Sequence, residues 1–400
     1  MLTFAEALAR LLGSASPLGA ERVSLDDAAF RVLAEDLAAP APMPAFDYSA
    51  MDGYALRSND HVGAGPFQIT VVGESAAGQP LPALAPGSAC RIFTGARLPE
   101  GADTVVMQEH VERVGDTITL GNAARAGAHI RRRGTDLEEG TIALRRGARL
   151  TPGRVALAAA LDRPQLLVAR RPVVTVLCSG DELRSPGTPA SPGSIAESNG
   201  YFVAAQARAA GAFVRVAPFV RDDAAIARDA VQDALRGADV VVTIGGVSVG
   251  DHDVIRPALE AAGVTLDFWR VKIKPGKPLA VGRAGSAHVV GLPGNPASAS
   301  LTFVLFGVPL LRALQGDAAP LPVRLRARIA GSVRREPGRE EFRRARLVHG
   351  EVGLVAQLLT NQDSGAVTSF AEAEALVVIP ADRAGVDEGD TLEVIRLADV

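Results

Sequence analysis

The chain has 400 residues, 48% of them apolar, and a formal net charge of −3. That length predicts several domains, and the charge excludes a broad nucleic-acid-binding surface. Two cysteines, Cys90 and Cys178, are too few for a disulfide framework or a structural zinc site. No run of about eighteen apolar residues stands out as a membrane span, and Met1–Glu6 lacks the features of a signal peptide, so a cytoplasmic protein without membrane or nucleic-acid partners is expected.

Thr3-Phe-Ala-Glu6 is a capping box that opens a short helix with Phe4, Ala7, Leu8 and Leu11 on one face. Ser24-Leu-Asp-Asp27 is read as the start of a second helix, with Ala28, Val32 and Leu33 apolar. The proline-rich segment 39–45 predicts a linker. Phe46 to Arg57 then brings Asp47, Ser49 and Asp52 to a turn entering a strand. Short β segments at 67–72, 89–94, 104–109 and 117–120 predict a small inserted β-domain, with Thr94 and Gly95 at a strand end. His129 to Asp136 carries Arg131, Arg132 and Arg133, which form a solvated face or, beside an anion, a clamp. Thr151 and Pro152 open another helix.

From Arg171 to about residue 315 strands and helices alternate. The strands are expected at 173–178, 213–217, 239–244, about 267–271 and 287–291, and the helices at about 199–210, 223–236, 254–262 and 297–314. Such alternation predicts a mostly parallel sheet that binds ligands at the carboxyl ends of its strands. Polar turns fall at those ends. They are Cys178 to Glu182, Arg221-Asp222 (Asp222 read as an N-cap), Gly245 to Asp253, Lys272 to Pro278 and Gly291 to Ser298.

The run Val240 to Ile244 reads as a buried parallel strand entering the third of these turns. Gly245, Gly246 and Ser248 let backbone N–H groups approach a phosphate. Asp251 and Asp253 in the same turn point to Mg²⁺ beside it, since bare carboxylates repel phosphate. Gly246-Val-Ser-Val-Gly250 also matches the nucleophile elbow G-x-S-x-G. That motif needs a helix directly after the serine, whereas Gly250 and three polar residues follow here. Cys178 reads as a small buried residue rather than a thiol ligand.

The tail after residue 318 is β-like again, with segments at 323–329, 341–348, 354–357, 375–379 and 391–395. The expected fold is therefore multidomain α/β. A central doubly wound, mostly parallel domain spans 172–318, and a β-rich insertion spans 46–140. A helical linking domain is built from 1–45 and 141–171, and a C-terminal β-barrel-like domain from 319–400.

Seven motifs together resemble one family. They are Phe46-Asp with Ser49-Ala-Met-Asp-Gly-Tyr-Ala55, Ile92-Phe-Thr-Gly95, Arg131-Arg-Arg-Gly134 with Asp136, and Ser179-Gly-Asp-Glu-Leu183. Gly245 to Gly250 with Asp253, Lys274-Pro-Gly-Lys-Pro278 and Gly291-Leu-Pro-Gly-Asn-Pro296 complete the set. The chain resembles the molybdopterin molybdenumtransferases of the bacterial MoeA type, which are similar to the E domain of gephyrin. The resemblance implies insertion of molybdenum from molybdate into adenylylated molybdopterin, with AMP released and Mg²⁺ required. It also implies a homodimer with transient contact to a molybdopterin adenylyltransferase. Catalytic roles fall by motif on Asp52, Thr94, Asp136, Glu182, Asp222 and Asp253, the last two as metal ligands. Molybdopterin-AMP contacts fall on Arg131, Gly245, Gly246, Ser248, Pro293, Gly294, Asn295 and Pro296. Molybdate contacts fall on Lys274, Lys277, Pro278, Ser298, Arg344 and Ser369. A stand-alone adenylyltransferase would not need 1–171 or 319–400. A non-catalytic scaffold would not need Asp222, Asp253 and the lysine motif.

Overall fold

The computed structural model describes residues 1–79, 84–246, 254–351 and 353–400. It divides into two compact units, one of residues 1–35, 146–155 and 164–400, the other of 36–145 and 156–163.

The larger unit contains a six-stranded sheet, and its order explains the polar edge. Phe213–Val216, Val173–Cys178, Val240–Ile244 and Ala287–Leu292 lie side by side and parallel. Pro278–Ala284 then pairs antiparallel with Ala287–Leu292, and Thr265–Arg270 pairs antiparallel with Pro278–Ala284. Thr265–Arg270 is thus parallel to the first four strands, and its carboxyl end joins theirs. The strand Pro278–Ala284 was not expected from the sequence, where proline, glycine and a short hairpin at Gly285 obscure it.

Every residue of Val240–Ile244 is buried, and alternation sends its side chains to both faces. Val240, Val242 and Ile244 join one cluster with Phe303 and Phe306, whereas Val241 joins another with Val231 and Leu259. A sheet buried on both sides is the doubly wound arrangement that the continuous apolar run predicts. Phe4 of the capped helix Phe4–Gly13 packs edge-on to Phe306 and Phe342, with ring centroids 5.3 and 5.5 Å away.

Residues 296–314 run as an α-helix, a π segment and a second α-helix. By length and composition this element is apolar enough to cross a membrane, which the sequence reading overlooked, but 89% of it is buried within the fold. It is the central core helix of this unit.

Glu340–Gly350, Gly353–Leu358, Arg324–Ala330, Thr391–Arg396 and Ala375–Ile379 close into a five-stranded barrel, because the last strand pairs back with the first. Ile273–Lys274 adds to the start of that first strand, with Lys274 in register with Glu341.

The second expected helix is absent. Ala20–Ser24 is a strand paired with Gln165–Ala169, and Ser24 and Asp27 close a hydrogen-bonded turn. Phe30 has a φ of 63°, which ends any helical path. Val32 and Leu33 are buried by bridges to Arg149 and Val168, so their helical spacing was coincidental. A further correction concerns Asp222. The N-cap of Ala224–Leu235 is Asp223, whose Oδ1 accepts from Ala225 N–H and Ile226 N–H, each at 2.9 Å.

At the opposite edge of the sheet, Asp239 takes both arms of Arg170 at 2.8 Å, and His288 lies buried nearby at 2% exposure. Burial, with Arg283 adding to it, pushes the His288 imidazole down from 6.5 to about 4. Its neutral form is favoured by folding, so its contribution is full above pH 6.5 and is lost as pH falls toward 4. The expected loss is at most about 3 kcal/mol. His288→Gln should flatten this acid limb in urea-unfolding midpoints compared at pH 7 and pH 5.

The smaller unit holds a sheet ordered Thr104–Met107, Gly53–Leu56, Ser88–Ile92, Phe67–Ser75, Thr117–Leu120 and Val111–Val114.

Candidate functional site

A cavity of about 610 Å³ lies at the carboxyl edge of the large unit's sheet. Glu182, Asp222, Gly245, Gly246, Pro278 and all of Pro293–Pro296 line it, so motifs spread over more than a hundred residues converge. Gly246 has a φ of 61°, and a Cβ there would stand 2.5 Å from Ile255 Cγ1. Glycine is therefore required for the turn to leave the sheet while the next helix packs beneath it. Asn199 Nδ2 donates to Gly294 O at 2.7 Å and pins the Pro293–Pro296 turn to the opposite wall. Asp222 is exposed and, relieved of capping by Asp223, presents its carboxylate at the cavity. Ser248 and Asp253 lie outside the described residues. Cys178 is buried, and desolvation, followed by the charge of Glu197, pushes its thiol up to about 12, so it stays protonated.

Pro278 also lines a second hollow of about 430 Å³ between the Lys274-Pro-Gly-Lys277 turn and the barrel. Gly276 shapes that turn, since at φ 100° a Cβ would meet Thr302 Cγ2 at 2.5 Å. Lys274, Lys277, Arg339 and Arg343 line the hollow against only Glu341 and Asp363, leaving excess positive charge. Ser298 and Ser364 line it as well. Beneath it, Glu341 is 2% exposed and gathers three cations: Arg343 at 2.6 Å, Lys274 at 3.5 Å and Arg335 at 3.6 Å. The Arg343 contact is an ion pair without hydrogen-bond geometry, so the cluster holds by charge more than by directed bonds.

Arg344 and Ser369, assigned to molybdate by motif, are placed elsewhere. Side chains alternate along Glu340–Gly350, so Arg343 shares a face with Glu341 and Ala345, and Arg344 shares the other with Phe342. The Arg344 guanidinium is buried and donates to Asp363 O at 3.0 Å, while Arg344 N–H donates to Gln362 Oε1 at 3.0 Å. It shapes the loop that carries Asp363 and Ser364. That loop reaches the cavity turn directly, because Ala297 N–H donates to Ser364 O at 2.9 Å and Asn295 Nδ2 to Ser364 Oγ at 3.0 Å. Ser369 Oγ donates to Ala366 O at 3.0 Å and lines a different hollow with Arg346. Arg343 and Ser364 line the cationic hollow in their place; Arg343 stands two residues from Glu341 and therefore on the same face of the strand.

In the smaller unit Asp52 and Thr94 are brought together. Asp52 Oδ1 accepts from Thr94 N–H at 2.7 Å and from Thr94 Oγ1 at 2.8 Å. The Thr94 backbone N–H is the main cause holding this carboxyl below the usual range. Asp47 accepts from Arg132 at 2.6 Å and from Arg133 N–H at 2.7 Å, which ties the arginine cluster to the Phe46 motif. Arg131 pairs with Tyr48 in a short ladder, and Asp136 donates its N–H to Met43 O at 3.0 Å; both side chains are exposed.

Comparison with known proteins agrees along the chain. Residues 2–161 match the MoeA N-terminal region (domain I and II), 175–313 a probable molybdopterin binding domain, and 326–397 the MoeA C-terminal region (domain IV). The Molybdopterin molybdenumtransferase of Haemophilus influenzae is 36% identical, over 98% of this chain and 98% of its own. Molybdopterin molybdenumtransferase 2 of Mycobacterium tuberculosis is 38% identical, over 93% and 94%. The crystal structure of the molybdopterin biosynthesis MoeA protein from Pyrococcus horikoshii OT3 superposes with a TM-score of 0.87 at 29% identity, covering 99% of this chain and 100% of that one. With relatives matched from end to end and the same domain series throughout, the chain belongs to the molybdopterin molybdenumtransferase family.

Proposed function

We propose that the chain inserts molybdenum from molybdate into adenylylated molybdopterin, releasing AMP and forming the molybdenum cofactor. The observation that carries this reading is the pair of hollows sharing Pro278, one large with bare glycine backbone and the other small and cationic. Molybdate is a tetrahedral dianion, and Lys274, Lys277 and Arg343 supply its counter-charge, with Ser298 and Ser364 as hydroxyl donors. Gly245 N–H donates to Leu292 O at 3.2 Å, so the bare backbone at Gly246 is what the phosphates would approach. Glu182 orients the ligand from the opposite wall. With Pro278 shared and Ser364 bonded to the cavity turn, the dithiolene would lie close to the oxyanion: one molybdate oxygen leaves as water with the two thiol protons as both Mo–S bonds form, and a water molecule splits the phosphoanhydride to AMP.

Mg²⁺ suits this donor set. It keeps several waters and takes one or two carboxylates plus substrate phosphates, and Asp222 with Asp253 would hold it. When bound it would polarise a phosphoryl oxygen and stabilise the leaving phosphate. Asp222→Asn should lower the AMP-release rate about 100-fold, with part of the loss recovered at high Mg²⁺; an unchanged rate would remove Asp222 from the reaction.

Asp52, Thr94, Arg131 and Asp136 are proposed to serve the site of a second copy in a cytoplasmic homodimer that contacts an adenylyltransferase. The exposure of Thr94, Arg131 and Asp136 and the Asp52–Thr94 pairing support that role. The test is purified protein with adenylylated molybdopterin, molybdate and Mg²⁺, read as AMP release and as reconstitution of an apo-molybdoenzyme. Molybdate-dependent AMP release is expected; tight binding without release would point to a scaffold instead.

A further inference from the structure

The well-buried carboxylates of the large unit come with cations. Glu341 has three, Asp239 has Arg170 and Asp317 has Arg149. Glu197 differs. It is 5% exposed, and among the described residues no lysine or arginine pairs with it. Its Oε1 accepts from Gly200 N–H at 2.6 Å, and the Cys178 thiol lies against the same carboxylate. Helix capping does not explain the burial, since the exposed Asp223 caps its helix with two bonds from the surface. A carboxylate has about four acceptor sites, so most of the capacity of Glu197 is unspent in a place water scarcely reaches.

Glu197 lines the 610 Å³ cavity, with half-buried Leu183 and the largely exposed Ile195 and Ala196 at the rim beside it. A buried carboxylate behind an open apolar rim suits a flat heteroaromatic ring that offers two parallel N–H donors. Given the substrate class argued above, on which this step rests, one ring edge has that pattern. We propose that Glu197 binds the 2-amino and N3–H edge of the substrate's pterin ring and sets which ring this cavity accepts.

Pteridines fluoresce, so their equilibrium binding to the full chain can be measured directly. The probes are 6-hydroxymethylpterin and lumazine, which carries an oxygen in place of the 2-amino group. Wild type should bind the pterin about tenfold tighter, because lumazine turns an acceptor toward the carboxylate. Glu197→Gln keeps an acceptor for Gly200 N–H but offers the ring one donor and one acceptor. Its preference should fall to parity or reverse toward lumazine. Equal ratios in wild type and variant, or no pterin binding by wild type, would overturn the assignment. Should the variant not fold, the wild-type ratio decides alone, and the absence of a preference sinks the proposal. The AMP-release assay fails independently. An enzyme that turns over without discriminating the rings loses the Glu197 role and keeps its function, whereas a pterin-selective protein without AMP release loses the function.

Discussion

Replacing Lys274 by glutamine should raise the KM for molybdate by about 10- to 100-fold while leaving thermal stability nearly unchanged. The side chain is 46% exposed and touches Glu341 at 3.5 Å, where two arginines remain to balance that carboxylate. Little folding energy is therefore at stake in Lys274 itself. A dianion in the hollow, by contrast, loses one charge-assisted contact, worth about 1.5–3 kcal/mol. Saturation with molybdate should restore much of kcat, since the adenylate cavity is untouched. Steady-state AMP release at varied molybdate reads both parameters, and an unaltered KM would take the oxyanion away from this turn.

Glu341→Gln should act in the opposite way, on stability first. Arg335 and Glu341 each have side chains only 3% exposed, and Arg343 is 19% exposed. Removing the carboxylate deprives Arg335 and Arg343 of the ion pair they share, although Arg335 keeps its bonds to three carbonyl oxygens. Breaking one partner of a buried ion cluster costs about 3–5 kcal/mol. The single tryptophan, Trp269, sits on Thr265–Arg270 of the large unit, so its fluorescence reports unfolding of that unit. The urea midpoint followed by Trp269 should fall clearly below that of wild type. An unchanged midpoint would mean that the cluster is solvated and contributes little.

Much of this architecture was legible because one period dominated each segment. Val240–Ile244 is β-branched throughout and carries no charge, and a strand buried on both faces accommodates that. Thr3 and Glu6 specify a helix start by their spacing, and both reciprocal bonds form. The failures have equally local causes. Ala28, Val32 and Leu33 keep helical spacing, but Val32 and Leu33 are held by strand bridges across more than a hundred residues, to partners that no local window contains. The motif assignment of Arg344 fell on the strand that borders the hollow, yet which of Arg343 and Arg344 faces the lysine turn depends on Lys274 pairing with Glu341. That register is a tertiary fact. Glu197 was overlooked because Ala196-Glu-Ser-Asn199 reads as an ordinary polar helix start, and only the burial around it makes the carboxylate unusual.

The reaction turns on where the oxyanion sits. Tungstate has the charge and shape of molybdate and scatters X-rays anomalously, so crystals soaked with it locate the site without assumptions about catalysis. The predicted result is an anomalous peak in the hollow within hydrogen-bonding reach of Lys274, Lys277, Arg343 and Ser298, and its loss in Lys274→Gln. A peak beside Arg344 and Ser369 instead, with nothing at the lysine turn, would contradict it.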